Sequence, residues 1–188
     1  MKNVVILNTL DNNANSMHMT IVDKLNKVLS LEKCDVQHYK IQDLHIMSCV
    51  GCFGCWVKTP GMCSIVDDSN DIINAIKKTN YLVLLSTIMF GSYSSDMKKI
   101  IDRLAPLAEP FFRQIDGITQ HVPRINREVR IIAIGVNDTG QDKYGDVFSL
   151  LVEKNAQNFF NSRHICLVYK SSVGCKGLGD KILSFMRG

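Results

Sequence analysis

The chain has 188 residues, of which 46% are hydrophobic, and a formal net charge of +4. This is enough apolar material for one core-bearing domain over 1–188. The Lys and Arg residues are dispersed, which gives no nucleic-acid footprint, and no apolar run is long enough to cross a bilayer. The chain enters Val4-Val5-Ile6-Leu7 after Met1, Lys2 and Asn3, without a signal-peptide layout, so the expected location is cytoplasmic. In that reducing compartment the seven cysteines are expected to be free or metal-bound rather than disulfide-linked.

Residues 3–8 form a short continuous apolar run, the pattern of a buried parallel strand. The polar turn Thr9–Ser16 follows, then a helix with Ile21, Val22, Leu25, Val28 and Leu29 on one face. A strand, a polar turn and a helix start can form an anion site from free backbone N–H groups. Asn15 or Ser16 would serve equally well as an ordinary N-cap, and both readings stay open. A second, more polar strand over Asp35–Ile41 suits a sheet edge.

The segment from Cys49 to Asp68 holds four cysteines: Cys49, Cys52, Cys55 and Cys63. The first three are separated by two residues each, and the fourth follows after seven. Such a run is how iron–sulfur clusters are commonly gripped, whereas zinc sites favour two pairs with a longer insert. Spacing leaves two readings: a [4Fe-4S] site on the four thiolates, or metal-free thiols lining a turn beside a cofactor. Trp56 and Pro60 fall in the seven-residue gap and work against convergence of Cys63 with the others. Asp67 and Asp68 read as capping groups for a helix that buries Ile72, Ile73 and Ile76.

Tyr81–Ser86 is the third strand. The small-residue loop Thr87–Ser95 follows, in which Met89, Phe90 and Tyr93 are either contacts to a flat ligand or core residues. The next helix buries Met97, Ile100, Ile101 and Leu104. Residues 106–127 read as irregular, because Pro106, Pro110 and Pro123 exclude a long helix. A fourth strand over Val129–Val136 ends in the loop Asn137–Gly140. A helix over 143–160 with Val147, Leu150 and Leu151 inward, a fifth strand over His164–Tyr169 and a last helix from Leu178 complete the chain. Five strands alternating with helices give an α/β doubly wound sheet of order 2-1-3-4-5, with its switch point between strands 1 and 3. The loops Thr9–Ser16 and Thr87–Ser95 both open there.

Three landmarks resemble the flavodoxin-like NAD(P)H-dependent FMN reductases and their iron–sulfur flavoprotein relatives. The family's phosphate loop, Gly-Ser-Pro-Arg-x-x-Gly-Asn-Thr, stands here as Asn8-Thr9-Leu10-Asp11-Asn12-Asn13-Ala14-Asn15-Ser16. The cysteine-rich stretch runs from Cys49 to Asp68. The flavin-ring loop and its helix appear as Thr87-Ile88-Met89-Phe90 through Ser94-Ser95-Asp96-Met97-Lys98-Lys99-Ile100-Ile101-Asp102-Arg103. Three departures stand out: Asp11 replaces an arginine, Ile88 a proline and Phe90 a tyrosine.

The resemblance implies an oxidoreductase in which FMN takes electrons from NAD(P)H and passes them to a small acceptor such as a quinone or flavin. It implies FMN contacts at Thr9, Asn15, Ser16, Thr87, Ile88, Met89, Phe90, Gly91, Ser92, Tyr93 and Asn137, and no catalytic acid or base. Asp11 would weaken phosphate binding by like-charge repulsion. The alternative implied is an electron carrier with a [4Fe-4S] cluster on Cys49, Cys52, Cys55 and Cys63. A homodimer with Leu104–Phe112 near its interface is expected in either case.

Overall fold

A computed structural model describes residues 1–10, 16–160 and 163–188. Asp11 and Asn15, and with them the centre of the expected phosphate loop, lie outside the described residues. Among the described residues there are seven strands: β1 (Asn3–Asn8), β2 (Asp35–Lys40), β3 (Tyr81–Thr87), β4 (Ala108–Ile115), β5 (Ile118–Pro123), β6 (Arg130–Asn137) and β7 (His164–Lys170). The helices are α1 (Ser16–Leu31), α2 (Gly54–Val57), α3 (Ser69–Ile76), α4 (Ser95–Asp102), α5 (Asp142–Phe160) and α6 (Leu178–Arg187).

Five strands form a parallel sheet in the order β2-β1-β3-β6-β7. This is the flavodoxin-like doubly wound arrangement expected from the alternating elements. The period-2 alternation of strand side chains divides the apolar residues between two faces. Val5, Leu7, Leu82, Leu84, Ile131 and Ala133 pack with α3, α4 and α5 on one side. Val4, Ile6, Val83, Leu85, Ile132 and Ile134 pack with α1 and α6 on the other. β2 lies at the edge and is mostly exposed, in keeping with its polar sequence. No helix of the described residues is long and apolar enough to cross a membrane.

Two expectations are corrected. Residues 106–127 are not irregular, because β4 and β5 form an antiparallel hairpin within them. A register shift between Ala108 and Phe112 takes up Pro110, and Asp116 and Gly117 make the turn with φ of 50° and 78°. Asp-Gly with both residues at positive φ is a favoured two-residue hairpin turn. The inward face of α5 is also displaced: Phe148, Val152 and Ala156 are buried, whereas Val147 and Leu150 are 53% and 54% exposed. The helix presents the side that fits Phe148 over Gly135, where a Cβ would lie 2.7 Å from the phenyl ring.

Candidate functional site

The carboxyl ends of β1 and β3 lie side by side, with Asn8 paired to Leu85. Thr9 leaves β1 with its backbone N–H on the Leu85 carbonyl at 2.9 Å and its Oγ1 on the same oxygen at 3.0 Å. Its Oγ1 also lies 2.9 Å from Ser94 Oγ. Ser94 caps α4, where its hydroxyl accepts from the Met97 N–H, and its own N–H donates to Ser86 Oγ at 2.9 Å. Thr9, Ser86 and Ser94 therefore form a neutral hydroxyl cluster at the switch point. Gln42 Nε2 donates to the Thr9 carbonyl at 2.8 Å and closes the other side.

Above this cluster, Met89 and Ser92 exchange backbone hydrogen bonds of 2.9 Å in both directions. The turn between them holds Phe90 at φ 52° and Gly91 at φ 84°. Left-handed backbone is costly for a residue with a bulky side chain. No burial offsets that cost, since Phe90 is 81% exposed and its ring touches Tyr144 only edge-on, 6.1 Å between centroids. Gly91 cannot carry a side chain, as a Cβ would sit 2.8 Å from Val147. The loop thus presents an aromatic ring and Met89 outward at the crevice rim. The Ile88 N–H anchors it to the Val136 carbonyl at 2.8 Å.

The remaining expected contacts divide. Thr87 and Ser92 are half-buried in this loop, and Ser16 is exposed at the start of α1. Ile88 and Tyr93 turn their side chains into the core. Tyr93 packs edge-on against Phe148, and its hydroxyl accepts from Asn155 Nδ2 at 3.3 Å. Burial pushes the phenol up to about 12, so it keeps its proton. Asn137 is buried, and its amide is used within its own loop: Nδ2 donates to the Gln141 carbonyl, and Oδ1 accepts from Thr139. The structure therefore gives the Ile88, Tyr93 and Asn137 side chains packing and loop-shaping roles.

The cysteine segment lies on the α3–α4 side. Cys49 and Cys52 are exposed, and Cys55 and Cys63 are half-buried. Among the described residues, no group of three or more His, Cys, Asp or Glu side chains is arranged to hold a metal. Cys63, Cys49 and Cys52 all lie close enough to Cys55 for their charges to act on it. Their environments also differ. The Gly54 backbone N–H and Ser64 hydroxyl lower the Cys52 thiol, whereas burial and then the neighbouring Cys63 raise Cys55. Trp56 spans from this segment to the hairpin, donating from Nε1 to the carbonyls of Ala105 and Ala108 at 3.2 and 3.0 Å. Its ring lies between Phe53 and His121.

Arg103 is the group that sequence reading left without a role. It is fully buried and donates to the Met47 and Ile65 carbonyls, to Asp67 at 2.9 Å and to Ser69 Oγ at 2.8 Å. Asp67 accepts in turn from the Met47 and Ser69 N–H groups, and Asp68 accepts from the His45 N–H at 2.7 Å. Asp67 thus caps the start of α3, as expected, and also pairs with Arg103. Asp68 makes no side-chain cap. Burial disfavours the Asp67 carboxylate, but hydrogen bonds from Ser69 and Met47 and the Arg103 charge outweigh it and hold the carboxyl below its ordinary range. The signal in the sequence was the paired acids after Cys63 together with an arginine on the rim of an apolar helix face.

A sequence model of the NADPH-dependent FMN reductase family matches residues 1–121. An iron–sulfur flavoprotein of Methanocaldococcus jannaschii is 29% identical over 89 residues, 47% of this chain and 45% of that protein, so the chain aligns with less than half of that relative. An NAD(P)H:quinone oxidoreductase from Methanothermobacter marburgensis shares the fold at a TM-score of 0.67 and 12% identity, over 99% of this chain and 95% of that one. An FMN-dependent NADH-azoreductase from Bacillus anthracis, solved with FMN, superimposes at a TM-score of 0.58 and 13% identity, over 98% of this chain and 93% of that one. The family match runs through β1, the cysteine segment, the β3 loop and α4, the elements that build the switch-point crevice, and the chain belongs to the NADPH-dependent FMN reductase family.

Proposed function

We propose that the chain is a cytoplasmic FMN-dependent oxidoreductase that passes electrons from NAD(P)H to a small acceptor such as a quinone or a flavin. The observation that carries this reading is the strained, exposed Phe90 turn beside the hydroxyl cluster of Thr9, Ser86 and Ser94, both within the residues matched by the family. The donor set suits a phosphate-bearing flavin. Ser94 is a neutral hydrogen-bonding group at the start of α4, Thr9 is another at the end of β1, and no carboxylate interrupts Thr87–Ser95. Bound FMN would supply the hydride acceptance and electron transfer.

The chain's own part is to bind, orient and exclude water. Thr9 and Ser16 flank the phosphate loop, and Ser94 braces Thr9 from the β3 side. Met89 and Phe90 give the ring an apolar rim. Tyr93 holds its proton and serves packing, so no side chain here is asked to act as an acid or base. Titration with FMN at tens of micromolar should quench flavin fluorescence, and the loaded protein should oxidise NADH or NADPH when a quinone is present. Unchanged fluorescence would refute the reading.

A second reading takes up the name of the Methanocaldococcus relative, an iron–sulfur flavoprotein. Its support is the spacing of Cys49, Cys52, Cys55 and Cys63, and it requires these thiols to rearrange. Anaerobic reconstitution with iron and sulfide should give broad visible absorbance in wild type and none in Cys52→Ala if this reading holds. We also infer a homodimer, because Phe111 and Phe112 stand exposed on the hairpin next to the Trp56 ring system.

A further inference from the structure

We propose that a pocket at the opposite end of the sheet from the flavin crevice binds a small amphiphilic anion, an oxyanion carried on a compact apolar body. The pocket lies between the end of α3 and the chain entering β6. It has a volume of about 380 Å³ and is lined by Lys77, Leu107, Arg124, Ile125, Asn126 and Arg127. Three of these six residues are cations and none is an acid. The volume sits at the small end of ligand pockets, which run from roughly 300 to 1,000 Å³.

The three cations are held in place by neutral groups. Lys77 Nζ donates to the Gly61 carbonyl at 2.6 Å and lies 3.5 Å from Met62 Sδ. Arg127 donates to the Lys77 carbonyl at 2.7 Å, and Arg124 Nε to the Pro106 carbonyl at 3.2 Å. Among the described residues, no carboxylate pairs with Lys77 or Arg127. The acid nearest to Arg124 is Glu109, with an oxygen 3.8 Å from Nη1, beyond hydrogen-bonding distance. The carbonyls orient all three cations; Lys77 and Arg127 keep their charge uncompensated by any carboxylate, while Arg124 shares a long ion pair with Glu109. Burial, and then the Arg124 charge, lower the Lys77 ammonium, a repulsion that an anion between them would relieve.

The apolar part of the ligand follows from the other lining residues. Ile125 is half-buried and packs against the main core over the buried Leu107, so its side chain offers the apolar surface beside the cationic rim. Guanidinium groups take carboxylate and phosphate in the same forked geometry. The shared chemistry is therefore an oxyanion next to a compact apolar group. The pocket also adjoins the cysteine segment: Lys77 holds Gly61, and a Cβ at Gly61 would lie 3.0 Å from Arg124 Cδ. None of the lining residues belongs to the proposed flavin crevice, so the inference stands apart from that reading.

Calorimetric titration of the whole protein at low ionic strength with benzoate, phenyl phosphate and inorganic phosphate, against sodium chloride at matched ionic strength, tests it. Benzoate, phenyl phosphate or both should bind saturably, and the tighter of the two identifies the oxyanion. Arg127→Gln, at an exposed position, and Arg124→Gln should each weaken that binding about tenfold, the loss of one charge-assisted contact. FMN binding in both variants should match wild type. Equal responses to every anion including chloride, inorganic phosphate as tight as phenyl phosphate, or full affinity in both Gln variants would overturn the proposal.

Discussion

Phe90 holds a left-handed backbone while its ring stays in solvent, so its stability cost and its proposed use at the flavin can be measured separately. Releasing that conformation is worth about 1–2 kcal/mol, against roughly 0.5–1.5 kcal/mol lost with the Tyr144 edge contact. Phe90→Asn should therefore change stability only slightly, between a loss of about 0.5 and a gain of about 1.5 kcal/mol in chemical denaturation, while weakening FMN binding. A marked loss of stability would mean that the ring has a structural duty. Arg103 is the opposite case, a buried cation whose partners are all on the page. Arg103→Met leaves Asp67 buried without its cation and should cost on the order of 3–5 kcal/mol. Asp67→Asn added to it should cost less than the sum of the two single changes. The sign of the pH effect follows from the lowered Asp67 carboxyl. Its contribution is complete above its unfolded value near 3.8 and disappears as pH falls through the still lower folded value. Acid unfolding of Asp67→Asn should be correspondingly flatter in that window, although the variant is less stable at neutral pH.

At the scale of elements, β6 and α5 approach closely because Gly135 has no side chain. A Cβ there would meet Phe148 at 2.7 Å and Ile88 at 2.8 Å, both in the packed core. Gly135→Ala should destabilise by about 1–3 kcal/mol through overpacking, and Phe148→Leu in the same chain should recover part of that loss. An unchanged melting temperature for the single variant would show that α5 moves away without cost. The α5 face was misread from sequence for a related reason. Leu151 packs against the core as expected, beside Phe148, Val152 and Ala156, but Val147 and Leu150 fall outside it, and periodicity does not say where the buried stripe is centred. Glycine opposite an aromatic ring decided it. The hairpin β4–β5 was legible in principle, since Ile115-Asp116-Gly117-Ile118 carries a strong turn pair. Three prolines in the surrounding segment pointed the other way, and a bulge at Pro110 reconciles the two.

For the whole molecule, the unpaired apolar surface makes a prediction about assembly. Phe111 and Phe112 are 65% and 66% exposed, and Phe53 is 60% exposed beside Trp56. A strip of exposed aromatic rings of this kind is suited to a partner copy. Light scattering at working concentration should give a dimer mass for wild type and a monomer mass for Phe111→Ser combined with Phe112→Ser. A wild-type monomer would exclude the interface.

The sequence by itself determined the doubly wound sheet, its strand order and the two loops that meet at its switch point. Buried parallel strands need continuous apolar runs, and a right-handed crossover between them leaves few topologies. It also marked the cysteine run and the Thr87–Arg103 landmark. Only the tertiary structure decided what those residues do. Arg103 reaches back to Asp67, far along the chain, and their pairing depends on α3 and α4 packing on the same side of the sheet. The Ile88, Tyr93 and Asn137 side chains turn away from the crevice because core packing and loop closure claim them first. Thiol convergence and the cationic pocket of Lys77, Arg124 and Arg127 are likewise matters of through-space placement, which spacing along a chain does not encode.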